Sequence, residues 1–145
     1  MLVVDTNVLV YAADEESPFH AACRKWLERR RASPDAWYTT WAILYEFLRV
    51  TTHPRVMRRP WNLWDAWTFV TALLASPGLD LLVPTPRHAD VAGQVIAELP
   101  HLSGNLLHDA HTAILMREHG IRRICTRDTD FHRFSFLEVV DPIQS

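Results

Sequence analysis

The sequence is poor in glycine and in cysteine. Its 145 residues include the two cysteines Cys23 and Cys125 and four glycines, Gly78, Gly93, Gly104 and Gly120. Those glycines form neither the GxGxxG pattern nor the P-loop that cradles nucleotide phosphates, and no GxSxG motif of an α/β-hydrolase is present. Two cysteines are too few for a disulfide framework, and no CxxC spacing occurs. We therefore expect a reduced, cytoplasmic protein without a glycine-rich nucleotide loop.

Long hydrophobic runs are also missing. No apolar stretch approaches the roughly 18 residues that a membrane-spanning helix needs. The first five residues, Met-Leu-Val-Val-Asp, include no basic residue, and Asp5 interrupts the apolar run that a signal peptide would require. We expect neither a membrane span nor a secretion signal.

Lysine is almost absent, since Lys25 is the only lysine among 15 basic residues and the others are arginines. With 17 acidic residues the formal net charge is −2, which gives no sign of a basic nucleic-acid module. The basic residues fall into three groups: Arg24, Lys25, Arg29, Arg30 and Arg31; Arg55, Arg58 and Arg59; Arg122, Arg123, Arg127 and Arg133. Guanidinium groups suit phosphate, so the groups predict either RNA contacts or solvated ion pairs such as one with Glu28.

Short apolar runs alternate with helical periodicities along the chain. The runs predict strands at residues 2–4, 37–39, 79–83, 123–126 and 136–140. Apolar spacing and capping residues predict helices at residues 7–13, 17–31, 41–50, 63–74, 85–99 and 108–119. The alternation is typical of an α/β fold with a doubly wound parallel sheet, and the length fits a single domain over residues 1–145.

Four carboxylates stand where such a sheet places its binding site, outside the carboxyl ends of the strands. Asp5 and Asp128 each follow an apolar strand run, Asp109 lies at the first turn of a predicted helix, and Glu46 lies among large apolar residues of another. Each also has a structural interpretation. Asp5 and Asp128 can cap helices, Asp109 can complement a helix dipole, and Arg49 can neutralise Glu46.

Four like charges in one cleft would repel one another and raise their own pKa values unless a cation neutralised them. Hard cations such as Mg²⁺ or Mn²⁺ take carboxylate oxygens and keep positions open for substrate phosphates. Such a metal also activates water for attack on phosphorus. The pattern therefore favours a metal-dependent site that acts on a phosphodiester.

The motif series resembles that of PIN-domain nucleases, and more narrowly the VapC-type toxins of bacterial toxin–antitoxin pairs. The motifs that carry the resemblance, in chain order, are Asp5-Thr6-Asn7, Glu46, His108-Asp109-Ala110-His111 and Thr126-Arg127-Asp128-Thr129-Asp130-Phe131. The resemblance implies a three-layer α/β/α fold with a central, mostly parallel five-stranded sheet. It also implies a Mg²⁺- or Mn²⁺-dependent endoribonuclease that forms a homodimer and is inhibited by a VapB-type antitoxin, which inserts a peptide near the active site.

The resemblance assigns roles to individual residues. Asp5, Asp109 and Asp128 would face the metal, and Glu46 would do so directly or through water. Thr6, Asn7 and Thr126 would orient these acids. Asp128 matches the family position after Thr-Arg, whereas Asp130 is expected to cap the short turn before Phe131. Independently of the resemblance, the position of Arg127 beside Asp128 predicts that it contacts the RNA substrate.

Three other interpretations compete with a ribonuclease. Receiver-type and haloacid-dehalogenase-type phosphotransfer domains also gather acids at strand ends, but the first needs a late lysine and the second an aspartate at the position of Asn7. A catalytically inactive PIN scaffold that only binds a partner is the second alternative. A zinc site at His108 and His111 is the third, and it would need further nitrogen or sulfur ligands.

Overall fold

The computed structural model describes residues 1–144. The strands are β1 (Val3–Val4), β2 (Trp37–Thr39), β3 (Leu79–Leu81), β4 (Arg123–Cys125) and β5 (Glu138–Val140). The helices are α1 (Thr6–Ala13), α2 (His20–Ala32), α3 (Trp41–Thr51), α4 (Leu63–Leu74), α5 (His88–Glu98) and α6 (Leu106–Glu118), with a short 3₁₀ helix at Thr129–Arg133. Within residues 1–144, no helix is both long and apolar enough to cross a membrane.

The five strands form one parallel sheet in the order β3-β2-β1-β4-β5. The chain moves from β1 outward to β3, returns through α5 and α6 to β4 on the other side of β1, and then continues to β5. Because parallel crossovers are right-handed, α1 to α4 cover one face of the sheet and α5 and α6 cover the other. The predicted three-layer α/β/α fold is confirmed, and each strand pair is parallel.

The core lies between the sheet and its two helical layers. The central strand β1 is entirely apolar and buried, as expected for a strand covered on both faces. Trp37, Phe47 and Phe131 are among the largest fully buried side chains. Since the chain diverges from β1 and β4 in opposite directions, a crevice opens at the carboxyl ends of these two neighbouring strands.

Helix boundaries differ from the predicted ones by at most three residues, and α4 matches at both ends. The serine and proline at 17 and 18 precede α2 rather than begin it, because the Ser17 hydroxyl accepts a hydrogen bond from the N–H of Phe19 and forms a separate turn. Thr85 does the same before α5, where its hydroxyl accepts from the N–H of Arg87. Gly120 ends α6 with a φ of 69°, as predicted.

Candidate active site

The site begins where β1 and β4 end side by side. Val4 is in register with Cys125, and the N–H of Asp5 donates to the carbonyl of Cys125 over 3.0 Å. Asp5 and Thr126, the next residues of the two strands, therefore lie together. The Thr126 hydroxyl donates to Asp5 Oδ2 at 2.8 Å and accepts from Asn7 Nδ2 at 2.9 Å. It also accepts from the N–H of Asp128 at 3.0 Å. One hydroxyl thus joins the two strand ends to α1 and to the 3₁₀ helix.

Asp5 caps α1 and faces the cleft at the same time. Its Oδ1 accepts from the N–H of Thr6 at 2.8 Å, while Asn7 Nδ2 lies 3.3 Å from Oδ2. The residue is 8% exposed. Burial raises the pKa of Asp5 to about 6, against the lowering effect of the hydrogen bonds from Thr126 and Thr6, and the charges of Asp128 and Glu46 raise it further. The predicted capping role is confirmed, and it uses only one of the two carboxylate oxygens.

Three aspartates form a cluster beside Asp5. Asp109, on the first turn of α6, and Asp128 and Asp130, after β4, each offer one oxygen, and these oxygens lie within 4.8 Å of one another. Burial is the main cause that raises the pKa of Asp109 to about 7, followed by the charges of Asp128, Asp5 and Asp130. A set of hard oxygen donors at this separation fits a divalent cation such as Mg²⁺ or Mn²⁺.

Asp128, rather than Asp130, caps the short turn before Phe131. Asp128 Oδ1 accepts from the N–H of Asp130 at 2.9 Å, which fixes the first turn of the 3₁₀ helix. The expectation that Asp130 serves as the cap is therefore wrong. The Asp130 side chain instead lies near Asp109, since one oxygen of each belongs to the three-oxygen cluster.

Glu46 faces the same cleft from α3, but its charge is paired with an arginine of the same helix. Arg49 donates from Nε to Glu46 Oε2 at 3.0 Å and from Nη2 to Oε1 at 2.6 Å. This hydrogen-bonded pair is the main cause that lowers the pKa of Glu46 below its usual value, while partial burial opposes it. Glu46 is not a member of the three-oxygen cluster, so its charge belongs to the wall of the cleft.

These side chains line one cleft of about 1080 Å³. Its acidic residues are Asp5, Glu46, Asp109, Asp128 and Asp130. The walls come from α1, α3, the start of α6 and the segment after β4. Five carboxylates in one open cleft make a strongly negative site that a polyanion can enter only with cations present.

Comparison with known proteins decides the family. The model of the PIN domain matches residues 2–137. The chain belongs to the PIN domain family. Ribonuclease VapC37 of Mycobacterium tuberculosis is 36% identical over 134 residues, which cover 92% of each protein. The resemblance to VapC-type PIN nucleases that the motifs predict is thereby confirmed.

Solved structures show the same fold at low identity. VapC20 of Mycobacterium tuberculosis, a toxin that cleaves the sarcin-ricin loop, has a TM-score of 0.67 at 18% identity, with 97% of this chain and 100% of that chain covered. VapBC2 from Rickettsia felis, bound to a DNA fragment from its promoter, has a TM-score of 0.67 at 14% identity, with 96% of each chain covered.

In this PIN domain the predicted supporting residues take different positions. Asn7 and Thr126 contact the Asp5 carboxylate directly, whereas the Thr6 hydroxyl lies 3.5 Å from the carbonyl of Ile43 and links α1 to α3. The backbone N–H of Thr6 is its contact with Asp5.

The side chain of Arg127 does not line the cleft. Its guanidinium carbon lies 4.1 Å from the centre of the Phe19 ring, and its Nε lies 3.3 Å from Asp141 Oδ1. Only the backbone N–H of Arg127 reaches the site, where it donates to Asn7 Oδ1 at 3.1 Å. The predicted contact with RNA would therefore require this side chain to leave two partners.

Arg49 and Tyr45 are among the cleft residues that the sequence analysis did not assign to the site. Arg49 appeared there only as a partner for Glu46, and Tyr45 is one of the large neighbours of Glu46 in sequence, yet both line the cleft. The spacing of three residues between Glu46 and Arg49 was the available signal, because residues at i and i+3 meet on a helix surface. The two histidines beside Asp109 separate: His108 lines the cleft, while His111 lies against the ring of His88. Neither belongs to a group of three potential metal ligands within residues 1–144.

Proposed function

We propose that this protein is an endoribonuclease that depends on Mg²⁺ or Mn²⁺ and acts as the toxin of a toxin–antitoxin pair. The observation that carries the proposal is the cluster formed by Asp109, Asp128 and Asp130, with Asp5 beside it, in an open cleft. The relative VapC37 bears the name ribonuclease, which agrees with a site of this chemistry. Asp5, Glu46, Asp109 and Asp128 are proposed as the acids on which activity depends, and Asp130 joins them as a metal ligand.

A divalent cation held by Asp109, Asp128 and Asp130 would supply a Lewis acid and an activated water for attack on phosphorus. The protein supplies the positions of the oxygens. Thr126 fixes Asp5 at the end of β1 and Asp128 at the end of β4, so two carboxylates of the cleft share one support. Asp5 and Asp109 have raised pKa values, so cation binding would displace protons that these groups retain near neutral pH.

The competing activities lose support from the family. A receiver-type or dehalogenase-type phosphotransfer domain has a different motif set, and the chain belongs to the PIN domain family. The inactive PIN scaffold is the remaining alternative. It does not require a cation at the cluster, so the binding of Mg²⁺ or Mn²⁺ separates the two.

The partners are proposed as an RNA substrate and a VapB-type antitoxin. The neighbour VapBC2 from Rickettsia felis supports a toxin–antitoxin assembly of this kind. An exposed apolar groove of about 770 Å³, lined by Tyr45, Leu48, Leu63, Trp64 and Trp67 among others, offers a surface for the antitoxin, since Tyr45 also lines the cleft. We further propose a homodimer, which light scattering of the purified protein would detect, and action in the cytoplasm, where its RNA substrate would be found.

The decisive experiment is cleavage of structured RNAs by purified protein with Mg²⁺, with Mn²⁺ or with EDTA. We expect cleavage with either metal and none with EDTA. Asp109→Asn should lose at least about a hundredfold in rate, in line with the loss of a metal-orienting group. Asp90→Asn is the matched control, because Asp90 also lies in the first turn of a helix but is exposed and outside the cleft. Equal rates for wild type and Asp109→Asn would assign the cleavage to a contaminant and refute the proposal.

A further inference from the structure

The cleft contains one strongly basic side chain. Among the described residues that line it, Arg49 is the only arginine or lysine, against five carboxylates. An RNA that approaches the aspartate cluster must bring its phosphates past these charges. Arg133 lies 3.7 Å from Asp130 Oδ1 but is not among the residues that line the cleft. Arg49 is therefore the permanent cation of the cleft wall that can hold a phosphate near the cluster.

The pair with Glu46 leaves part of Arg49 available. It uses Nε and Nη2 of the guanidinium, and Nη1 forms no hydrogen bond with any residue within 1–144. A guanidinium has five N–H donors, so the Nη1 group and the outer N–H of Nη2 stay open for a second acceptor. The Arg49 side chain is 59% exposed, so this edge is accessible from solvent.

We propose that Arg49 binds a phosphate of the RNA substrate next to the aspartate cluster while its other edge holds Glu46. The inference rests on the proposed ribonuclease function and adds a substrate-binding residue to it. Glu46 then acts as the group that fixes the orientation of the guanidinium, since a bidentate carboxylate pair restricts the side chain and aims its free edge. The sequence analysis predicted this RNA contact for Arg127. We assign it to Arg49 because the Arg127 side chain contacts Phe19 and Asp141.

RNA binding tests this without cleavage. Binding of labelled poly(U) and of a labelled hairpin RNA is measured by fluorescence anisotropy in the presence of Mg²⁺. The protein is the Asp109→Asn variant, because its cleavage rate should be strongly reduced. Adding Arg49→Gln should weaken binding about 5- to 20-fold, as expected for a lost charge-assisted hydrogen bond to phosphate. The slope of log Kd against log salt should fall by about 0.7, the value for one phosphate of a single strand. Arg49→Lys should recover part of the affinity and most of the slope.

Arg117→Gln is the matched control. Arg117 also forms a bidentate pair, with both oxygens of Glu98, and lies outside the cleft. Its loss removes the same charge and the same kind of pair, so RNA affinity should stay within about twofold of the parent because the charge is distant and screened. Equal weakening by Arg49→Gln and Arg117→Gln would overturn the inference, since only net charge would then matter.

A double variant separates contact from neutralisation. If Arg49 only cancels the charge of Glu46, then Glu46→Gln combined with Arg49→Gln restores the affinity, and the inference is wrong. If Arg49 contacts phosphate, the double variant still binds RNA more weakly than Glu46→Gln alone. Failure of this inference and failure of the proposed ribonuclease function give different results. Wild type that cleaves RNA with Mg²⁺ while Arg49→Gln binds normally refutes this inference only, whereas wild type that neither binds nor cleaves RNA refutes both.

Discussion

Asp109 is the cleft carboxylate whose charge is least compensated. Asp5 receives hydrogen bonds from Thr6 and Thr126, and Glu46 is paired with Arg49. Within residues 1–144 no hydrogen-bond donor contacts the Asp109 carboxylate, and its pKa is the one raised to about 7. At this residue, burial of the charge and, after it, repulsion by the neighbouring aspartates lower the stability of the metal-free fold, and no hydrogen bond offsets them.

Asp109→Asn should therefore stabilise the metal-free protein at alkaline pH. The pKa of Asp109 is about 7 in the folded protein and 3.8 in the reference state, so the folded protein retains the proton over this range. The proton retained by Asp109 stabilises the folded protein. This contribution is fully present below pH 4 and is lost as the pH rises through 7. In EDTA at pH 8 we expect the variant to gain about 1–2 kcal/mol, allowing for solvent screening, and about 3–6 °C in Tm.

Thermal unfolding of wild type and variant in EDTA from pH 4 to pH 8 measures this difference. The gain should shrink toward pH 4, where Asp109 is protonated in the folded protein and its charge no longer opposes folding. Asp90→Asn should show no comparable change, since that residue is exposed. Asp5→Asn should gain less than Asp109→Asn, because an amide cannot accept all the hydrogen bonds that the Asp5 carboxylate receives. A lower Tm for Asp109→Asn at pH 8 would mean that this carboxylate is structural.

At the scale of the secondary-structure elements, the connection from α4 to β3 depends on Gly78, which allows the backbone to pack closely on a neighbouring turn. Gly78 packs on the turn before β2: a Cβ at this position would lie 2.1 Å from the carbonyl oxygen of Asp35 and 3.1 Å from that of Ser33. Its own carbonyl accepts from the N–H of Trp37, where β2 begins. Gly78→Ala should therefore push apart the starts of β2 and β3 and lower the free energy of unfolding by about 1–3 kcal/mol.

Gly93 provides the contrast. It lies exposed within α5, and a Cβ there would have no heavy atom within 4 Å beyond its helix and chain neighbours. Gly93→Ala should raise the free energy of unfolding by about 0.5–1 kcal/mol, through the lower conformational entropy of the unfolded chain. Urea unfolding of both variants tests the pair. A loss of stability in both, or in neither, would show that backbone proximity at Asp35 is not the cause.

The order of the elements could be read from the sequence, but the direction of several side chains could not. Apolar runs and caps predicted the strands and helices to within a few residues, and Asp5 and Asp128 were placed correctly at strand ends. Glu46 was found because an acid among apolar residues is unusual, yet only the structure shows that Arg49 occupies both its oxygens. The direction of the Arg127 side chain could not be read from the sequence, because its neighbour Asp128 enters the cleft while Arg127 itself packs on Phe19.

Across the whole molecule, charge is distributed unevenly despite a net charge of −2. Five acids meet in the cleft, while several arginines of the predicted basic groups are ion-paired at the surface. Arg31 pairs with Glu28, Arg123 lies 3.7 Å from Glu138, and Arg59 lies 3.7 Å from Glu16. These arginines therefore form the solvated ion pairs that the sequence analysis gave as the alternative to RNA contacts. The uncompensated negative charge lies in the cleft, where a bound cation would neutralise it.

Binding of that cation should stabilise the entire fold. A ligand that binds only the folded protein adds about 2.7 kcal/mol when its concentration is one hundred times its Kd, so Mn²⁺ or Mg²⁺ should raise the Tm in a concentration-dependent way. The gain should be largest above pH 7, where Asp5 and Asp109 are ionised, and should fall as the pH drops toward 5 because protons compete for both carboxylates. Thermal unfolding over a Mn²⁺ titration at two pH values, with Asp109→Asn and Asp90→Asn in parallel, measures this. Asp109→Asn should lose most of the gain and Asp90→Asn should keep it. An unchanged Tm for wild type at every Mn²⁺ and Mg²⁺ concentration would favour the inactive scaffold, since a cluster of carboxylates that binds no cation cannot direct water to a phosphodiester.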